Sequence, residues 1–158
     1  MVITLLIIKK TKKQEVKLRY FLSFILPSKA NRVKIKAKRY LIPKDVSLKI
    51  NKAIWELQLQ QEKNKKTFDV PVEVNIKFIL PNKRRRDLDN IMKTLGDCLV
   101  YANIIKDDNL IYKQRLEKFI VPKEEGIIID IKEYKKDIKK INTFIKSLNK
   151  YKASFYGA

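Results

Sequence analysis

The chain has 158 residues, with 37 Lys and Arg against 17 Asp and Glu, a formal net charge of +20. That length favours one domain around a single core, and that charge favours a polyanionic partner, although a lysine-rich soluble surface accounts for part of it. One cysteine and no histidine exclude an internal disulfide, thiolate or imidazole zinc sites, and Ser-His-Asp or Cys-His catalysis, leaving carboxylates, lysine, tyrosine and metal-bound water.

Residues 2–8 read as a short strand rich in β-branched side chains. The apolar opening "MVITLLII" has no basic lead-in and no small-residue cleavage site, and it is too short to cross a bilayer. The expectation is a cytoplasmic protein with no membrane partner, for a chromosomal, prophage or viral gene alike. The charged loop "KKTKKQE" leads to a second strand over 18–26, closed by Pro27 and Ser28. Residues 29–42, "KANRVKIKAKRYLI", read as a loop or irregular strand offering positive charge, with Arg32, Lys34, Lys36, Lys38 and Arg39 as candidate DNA contacts.

A helix is predicted from Asp45 or Ser47, just after Pro43. Val46, Ile50, Ala53, Ile54 and Leu57 mark its buried face, and it fades in the polar run 60–66. Residues 70–80, "VPVEVNIKFIL", alternate as a strand does. A second helix carries Leu88, Ile91, Met92, Leu95, Cys98, Leu99 and Ala102 on one face, with Asn103 as its terminator. Cys98, inside that stripe, reads as a small buried hydrophobe. Strands follow over 110–121 and 126–133. The tail 134–152 has Ile138, Ile141, Ile145, Leu148 and Tyr151 at helical spacing, and an amphipathic helix docked on the body is expected. Residues 1–18 carry a net +4 and 133–158 a net +5, leaving +11 for 19–132, so the basic character belongs to the body as well as the ends.

The chemistry concentrates in "RRRDLDN" at 84–90. Asp87 and Asp89 suit a helix N-cap and an acidic first turn, with salt bridges to the arginines as an equally simple use. Asp89 and Lys93, four apart, share a helix face away from the apolar stripe. Within one helix Asp87 and Asp89 would stand about 200° apart, so they converge only if Asp87 lies in an extended lead-in. Asp107 and Asp108 follow the helix. Oxygen ligands from several aspartates suit Mg²⁺ or Mn²⁺, and a divalent ion reverses the repulsion between carboxylates and DNA phosphate. Arg84, Arg85 and Arg86 would then grip the flanking phosphates.

The stretch "RRRDLDNIMKTLGDCLVYANIIKDDNLI" resembles the signature of RusA-type Holliday junction resolvases, and a looser similarity runs from about residue 19 to 132, including "LPSKANR". The resemblance implies a homodimeric, Mg²⁺-dependent endonuclease that cuts four-way DNA junctions by paired symmetric nicks in recombination and repair, without a small-molecule cofactor. It makes Asp87, Asp89 and Asp108 the metal carboxylates and Lys93 the catalytic lysine. Asp107 is the weaker member of its pair, and a surface salt bridge is the simpler role for Asp97. The implied fold is α+β, a small mixed or antiparallel sheet packed with a few helices, plus the C-terminal amphipathic helix. One domain is expected over 1–158, with a core at 19–132, an extension at 1–18 and a basic helical extension at 133–158.

From Asp89 to Asn103 a helix rises about 21 Å, and the steps from Asn103 to Asp108 return at most about 17 Å. So little slack raises the expectation that Asp108 completes the site of a partner subunit. The competing reading is a non-catalytic nucleic-acid-binding protein whose aspartates only cap and bridge.

Overall fold

A computed structural model describes residues 16–28, 33–36, 39–41 and 43–157, with 33–36 and 39–41 described by backbone alone. The strand expected over 2–8 lies outside the described residues. The elements run β1 (Lys17–Leu22), β2 (Val33–Lys36), β3 (Arg39–Leu41), α1 (Lys44–Asn64), β4 (Val72–Leu80), α2 (Leu88–Tyr101), a 3-10 turn (Asp108–Leu110), β5 (Ile111–Ile120), β6 (Gly126–Glu133) and α3 (Ile138–Tyr156).

Four strands form one mixed sheet in the order β1-β6-β4-β5, and β2 and β3 make a separate antiparallel hairpin. A single ladder fixes the register. Tyr20 faces Ile129 and Ile129 faces Ile76 across antiparallel pairs, and Ile76 lies beside Leu116 across the parallel pair of β4 and β5. The α+β expectation is met. The parallel pair exists because α2 carries the chain back before β5 begins, as a parallel connection requires.

β4 alternates without a break. Val72, Val74, Ile76, Phe78 and Leu80 are buried and the residues between them are half-buried. The inner face joins one core with Val46, Ile50, Ala53 and Leu57 of α1 and Ile91, Met92, Leu95, Cys98 and Leu99 of α2. Cys98 is fully buried in it, as its place in the apolar stripe implied.

Two boundaries differ from the sequence reading, for one reason. β1 ends at Leu22 rather than continuing to residue 26, and α1 runs through the polar stretch to Asn64 instead of fading near 60. The polar residues of α1 close the sheet edge. Gln60 accepts from the Phe21 N–H at 2.9 Å and donates to the Phe21 carbonyl at 2.8 Å. Glu56 accepts from the Ser23 N–H at 3.0 Å and from its hydroxyl at 2.6 Å. The helix thereby satisfies edge groups that another chain would otherwise pair with. At the other side of β1, a Cβ on Gly126 would stand 2.9 Å from the Leu22 carbonyl oxygen, so only glycine fits where β6 opens.

The outer face of the sheet mixes polar side chains with Phe21, Ile79 and Ile128. Asp130 is 5% exposed and accepts from Arg19 at 2.7 and 3.0 Å, with Lys17 at 3.4 Å. The hydrogen-bonded guanidinium holds the Asp130 carboxyl below the usual carboxylate range, against the opposing effect of burial.

The tail is helical, but the expected docking does not occur. α3 has no buried residue, and Ile138, Phe144, Ile145, Leu148, Tyr151 and Phe155 are all at least half exposed. The inner face of the sheet is already covered by α1 and α2.

Candidate active site

The strand-to-helix junction places the motif. β4 ends at Leu80, the chain turns through Asn82, and Asp87 takes an extended conformation (φ −92°, ψ 110°) as the N-cap of α2. Asn82 steadies the arginine run, accepting from the Arg84 N–H and from Arg86 Nη1, each at 3.1 Å. Asp87 accepts from the Asp89 N–H at 3.3 Å and from the Asn90 side-chain amide at 3.1 Å. Its carboxylate is therefore committed to the start of the helix, which satisfies a donor that a helix N-terminus otherwise leaves open.

Asp89 and Lys93 stand one turn apart on the exposed side of α2. The return path brings Asp108 to the same side. Asn103 adopts the left-handed conformation (φ 59°) and ends the helix, and the next two residues, Ile104 and Ile105, are fully buried. Backbone bonds from Phe68 N–H to the Ile104 carbonyl (2.9 Å) and from Lys106 N–H to the Phe68 carbonyl (2.8 Å) hold this segment against the body. Asp107 then caps the 3-10 turn, accepting from the Asn109 N–H at 2.9 Å. Asp108 lies beside α2, where a Cβ on Gly96 would be 3.8 Å from its own Cβ.

Asp89, Lys93 and Asp108 line one open cavity of about 560 Å³, with Met92 and Gly96 of α2 and Ile111, Tyr112 and Gln114 at the start of β5. Among the described residues, neither carboxylate nor the Lys93 ammonium has a side-chain hydrogen bond or an ion pair. Three charges turned into one hollow without structural partners are available to a ligand. The site assembles within one chain, so the reach of the loop does not demand a partner subunit. The rise from Asn103 overstated the distance, because Asp108 returns to Gly96, only about 10 Å along the axis from Asp89.

Asp87 is not brought into that cavity. It lines an adjoining groove with Arg84, Arg85, Arg86 and Asn90 on one side and Asp45, Lys49 and Glu125 on the other. Among the described residues no ion pair joins the three arginines to Asp87 or Asp89, so the bridging use of these aspartates is not realised. Asp97, Asp107 and Asp108 line a further hollow with Lys106 and Tyr101. Arg32 and Lys38 lie outside the described residues, as do the side chains of Lys34, Lys36 and Arg39.

Among the described residues no three carboxylates or cysteines converge as a ready metal cage. The donor set nevertheless fits a hard cation that needs few protein ligands. Mg²⁺ keeps several waters and takes one or two carboxylates together with substrate phosphate, and Asp89 and Asp108 offer that pair on an open surface.

The family described as Endodeoxyribonuclease RusA matches residues 23–132. A protein named crossover junction endodeoxyribonuclease RusA from Aquifex aeolicus is 37% identical over 115 residues, which span 72% of this chain and 90% of that protein. The chain belongs to the RusA family. Its RusA relatives in Escherichia coli strain K12 and Shigella sonnei, which bear the same name, are 36% identical over 64 residues, 40% of this chain and 53% of each of those proteins. The RusA match ends at residue 132, before Tyr134 and all of α3.

Met92, expected only as a core residue, and Gly96, Tyr112 and Gln114 are site-lining residues that the sequence did not mark as such. A signal for two of them existed. Met92 and Gly96 fall three and seven residues after Asp89, at the edge where the apolar stripe meets the face that carries Asp89 and Lys93. Tyr112 and Gln114 have no comparable local mark, since only the pairing of β5 with β4 sets them opposite α2.

Proposed function

We infer that this chain is a structure-specific endodeoxyribonuclease that hydrolyses phosphodiesters at four-way DNA junctions, in the setting of recombination and repair. The observation that carries the reading is the convergence of Asp89, Lys93 and Asp108 in one cavity of a RusA-family chain, with their charges unpaired beside an arginine-lined groove.

Asp89 and Asp108 would hold a divalent cation, Mg²⁺ or alternatively Mn²⁺, which when bound acidifies water and offsets phosphate charge. Lys93 sits on the same wall and donates to the phosphate oxygens on which charge grows. Arg84, Arg85 and Arg86 grip the neighbouring backbone through charge-assisted hydrogen bonds. Asp87 orients the first turn of α2, from which Asp89 and Lys93 project. Service as a third metal carboxylate requires its side chain to leave Asn90.

The working unit is a homodimer, because two opposed nicks across a junction call for two sites related by a two-fold axis. The chain works in the cytoplasm, and among the described residues no helix is long and apolar enough to cross a membrane. The test is cleavage of an end-labelled four-way junction with and without Mg²⁺. Paired nicks that need the metal, disappear in Asp89→Asn and leave junction binding intact support the reading. Tight binding with no cleavage under Mg²⁺ or Mn²⁺ would instead make the chain a non-catalytic DNA-binding protein.

A further inference from the structure

We propose that a substrate strand leaves the catalytic cavity over Tyr112 and enters a second, lysine-lined groove at the root of α3, so that the C-terminal extension forms part of the DNA path. This rests on the junction-nuclease reading and adds to it a binding track that runs past the end of the RusA match at residue 132.

Tyr112 links the two hollows. It is 64% exposed and walls the catalytic cavity. Its ring packs against Tyr134 with centroids 5.6 Å apart and planes tilted by 53°. Tyr134 lines the second groove and is anchored by its N–H to the Pro71 carbonyl at 2.8 Å. An exposed ring backed by an anchored neighbour, at the rim of a phosphodiester cavity, is a surface on which an unstacked base can lie.

The charge of the second groove selects its occupant. Lys113, Lys132, Lys135 and Lys140 face it together with Glu73, Glu133 and Asp137. Each acid has a partner, which for Glu73 is the groove's own Lys113. Glu73 pairs with Lys113 at 3.1 Å, Glu133 pairs with Lys66 at 3.5 Å, and Asp137 caps α3 by accepting from the Lys140 N–H at 3.1 Å. α3 itself carries five lysines and no acidic residue. An anionic backbone fits this surface, whereas the α3 of a second copy would bring five more lysines against it.

The test is binding of a fixed four-way junction without divalent metal, measured by anisotropy as a function of salt. Replacing two phosphate-contacting lysines, Lys135→Gln with Lys140→Gln, is expected to lower the slope of log K against log salt by about 1.8. Lys146→Gln with Lys150→Gln, on the far side of α3, is expected to leave the slope unchanged. Tyr112→Ala is expected to weaken binding by about tenfold at constant slope, with Tyr112→Phe retaining affinity. The proposal is overturned if both lysine pairs lower the slope equally, which means diffuse charge, or if the groove pair has no effect. It is also overturned if the groove pair alters the sedimenting species and not the slope, which means a second copy sits there. Wild-type cleavage of the junction with Mg²⁺, run alongside, separates the outcomes. If it is absent the nuclease reading fails, and if it is present with an insensitive groove only the added track fails.

Discussion

Gly96 offers a direct probe of how the cavity lined by Asp89, Lys93 and Asp108 is built. It lies inside α2, where glycine is the weakest ordinary helix former, and its one close neighbour is Asp108, whose Cβ would be 3.8 Å from an added Cβ. That spacing is ordinary van der Waals contact, so Gly96→Ala meets no clash. The gain in helix propensity is about 0.8–1 kcal/mol, which for a chain of this size raises the melting temperature by about 2–4 °C. Junction cleavage should stay near the wild-type rate. Gly96→Leu is different, because its branch must occupy the space of the Asp108 side chain. Overpacking of this kind destabilises by about 1–3 kcal/mol, and displacement of Asp108 should abolish cleavage even at temperatures where the fold persists. Calorimetry and an end-labelled junction assay on the two variants read both quantities. If Gly96→Ala melts higher yet fails to cleave, the gap beside Asp108 belongs to the substrate or the ion, and the reasoning from spare contact space is wrong. If it melts lower, the packing itself has been misread.

Three more outcomes follow from the same geometry. Asp89→Asn and Asp108→Asn should each remove cleavage by at least a hundredfold while junction affinity holds or rises, since loss of an unpaired carboxylate lowers repulsion toward phosphate; equal loss of binding and cleavage in gel-shift and nicking assays argues against a catalytic role. Asp87→Ala should lower stability by about 1 kcal/mol through loss of the N-cap, and Asp87→Ser should restore it; cleavage restored with it marks Asp87 as a cap only, whereas a stable, inactive Asp87→Ser chain makes its carboxylate part of the metal site. Asp130 has a folded pKa held below its ordinary 3.8 by Arg19, so its contribution to stability is present above that value and lost as pH falls through the folded pKa. Urea midpoints of Asp130→Asn should accordingly vary less with pH on the acid side than those of the wild type, and parallel acid limbs would contradict the assignment.

Local structure was legible wherever a single period ran unopposed. β4 declares itself by strict alternation, and α2 by apolar residues at helical spacing between an aspartate cap and Asn103. The weaker segments depended on partners far along the chain. The polar end of α1 looks like a helix running out, yet Gln60 is held by Phe21 across 39 positions of sequence, and Gln61 accepts from the Tyr20 hydroxyl at 2.6 Å. The stripe of α3 resembles that of a docked helix, and no local pattern reveals that α1 and α2 already cover the inner face of the sheet.

From the residues alone came the family signature, the polyanionic partner, the absence of imidazole chemistry and the carboxylate-lysine set on α2. Those features depend on composition and on neighbours within a turn or two, where spacing dictates direction. The fold alone decided that Asp108 joins Asp89 within the same chain, that Asp87 turns to the arginine groove, and that Tyr112 walls the cavity. The places of Asp108 and Tyr112 depend on a left-handed turn at Asn103, the burial of Ile104 and Ile105, and the parallel pairing of β5, which place side chains through contacts between segments distant in sequence.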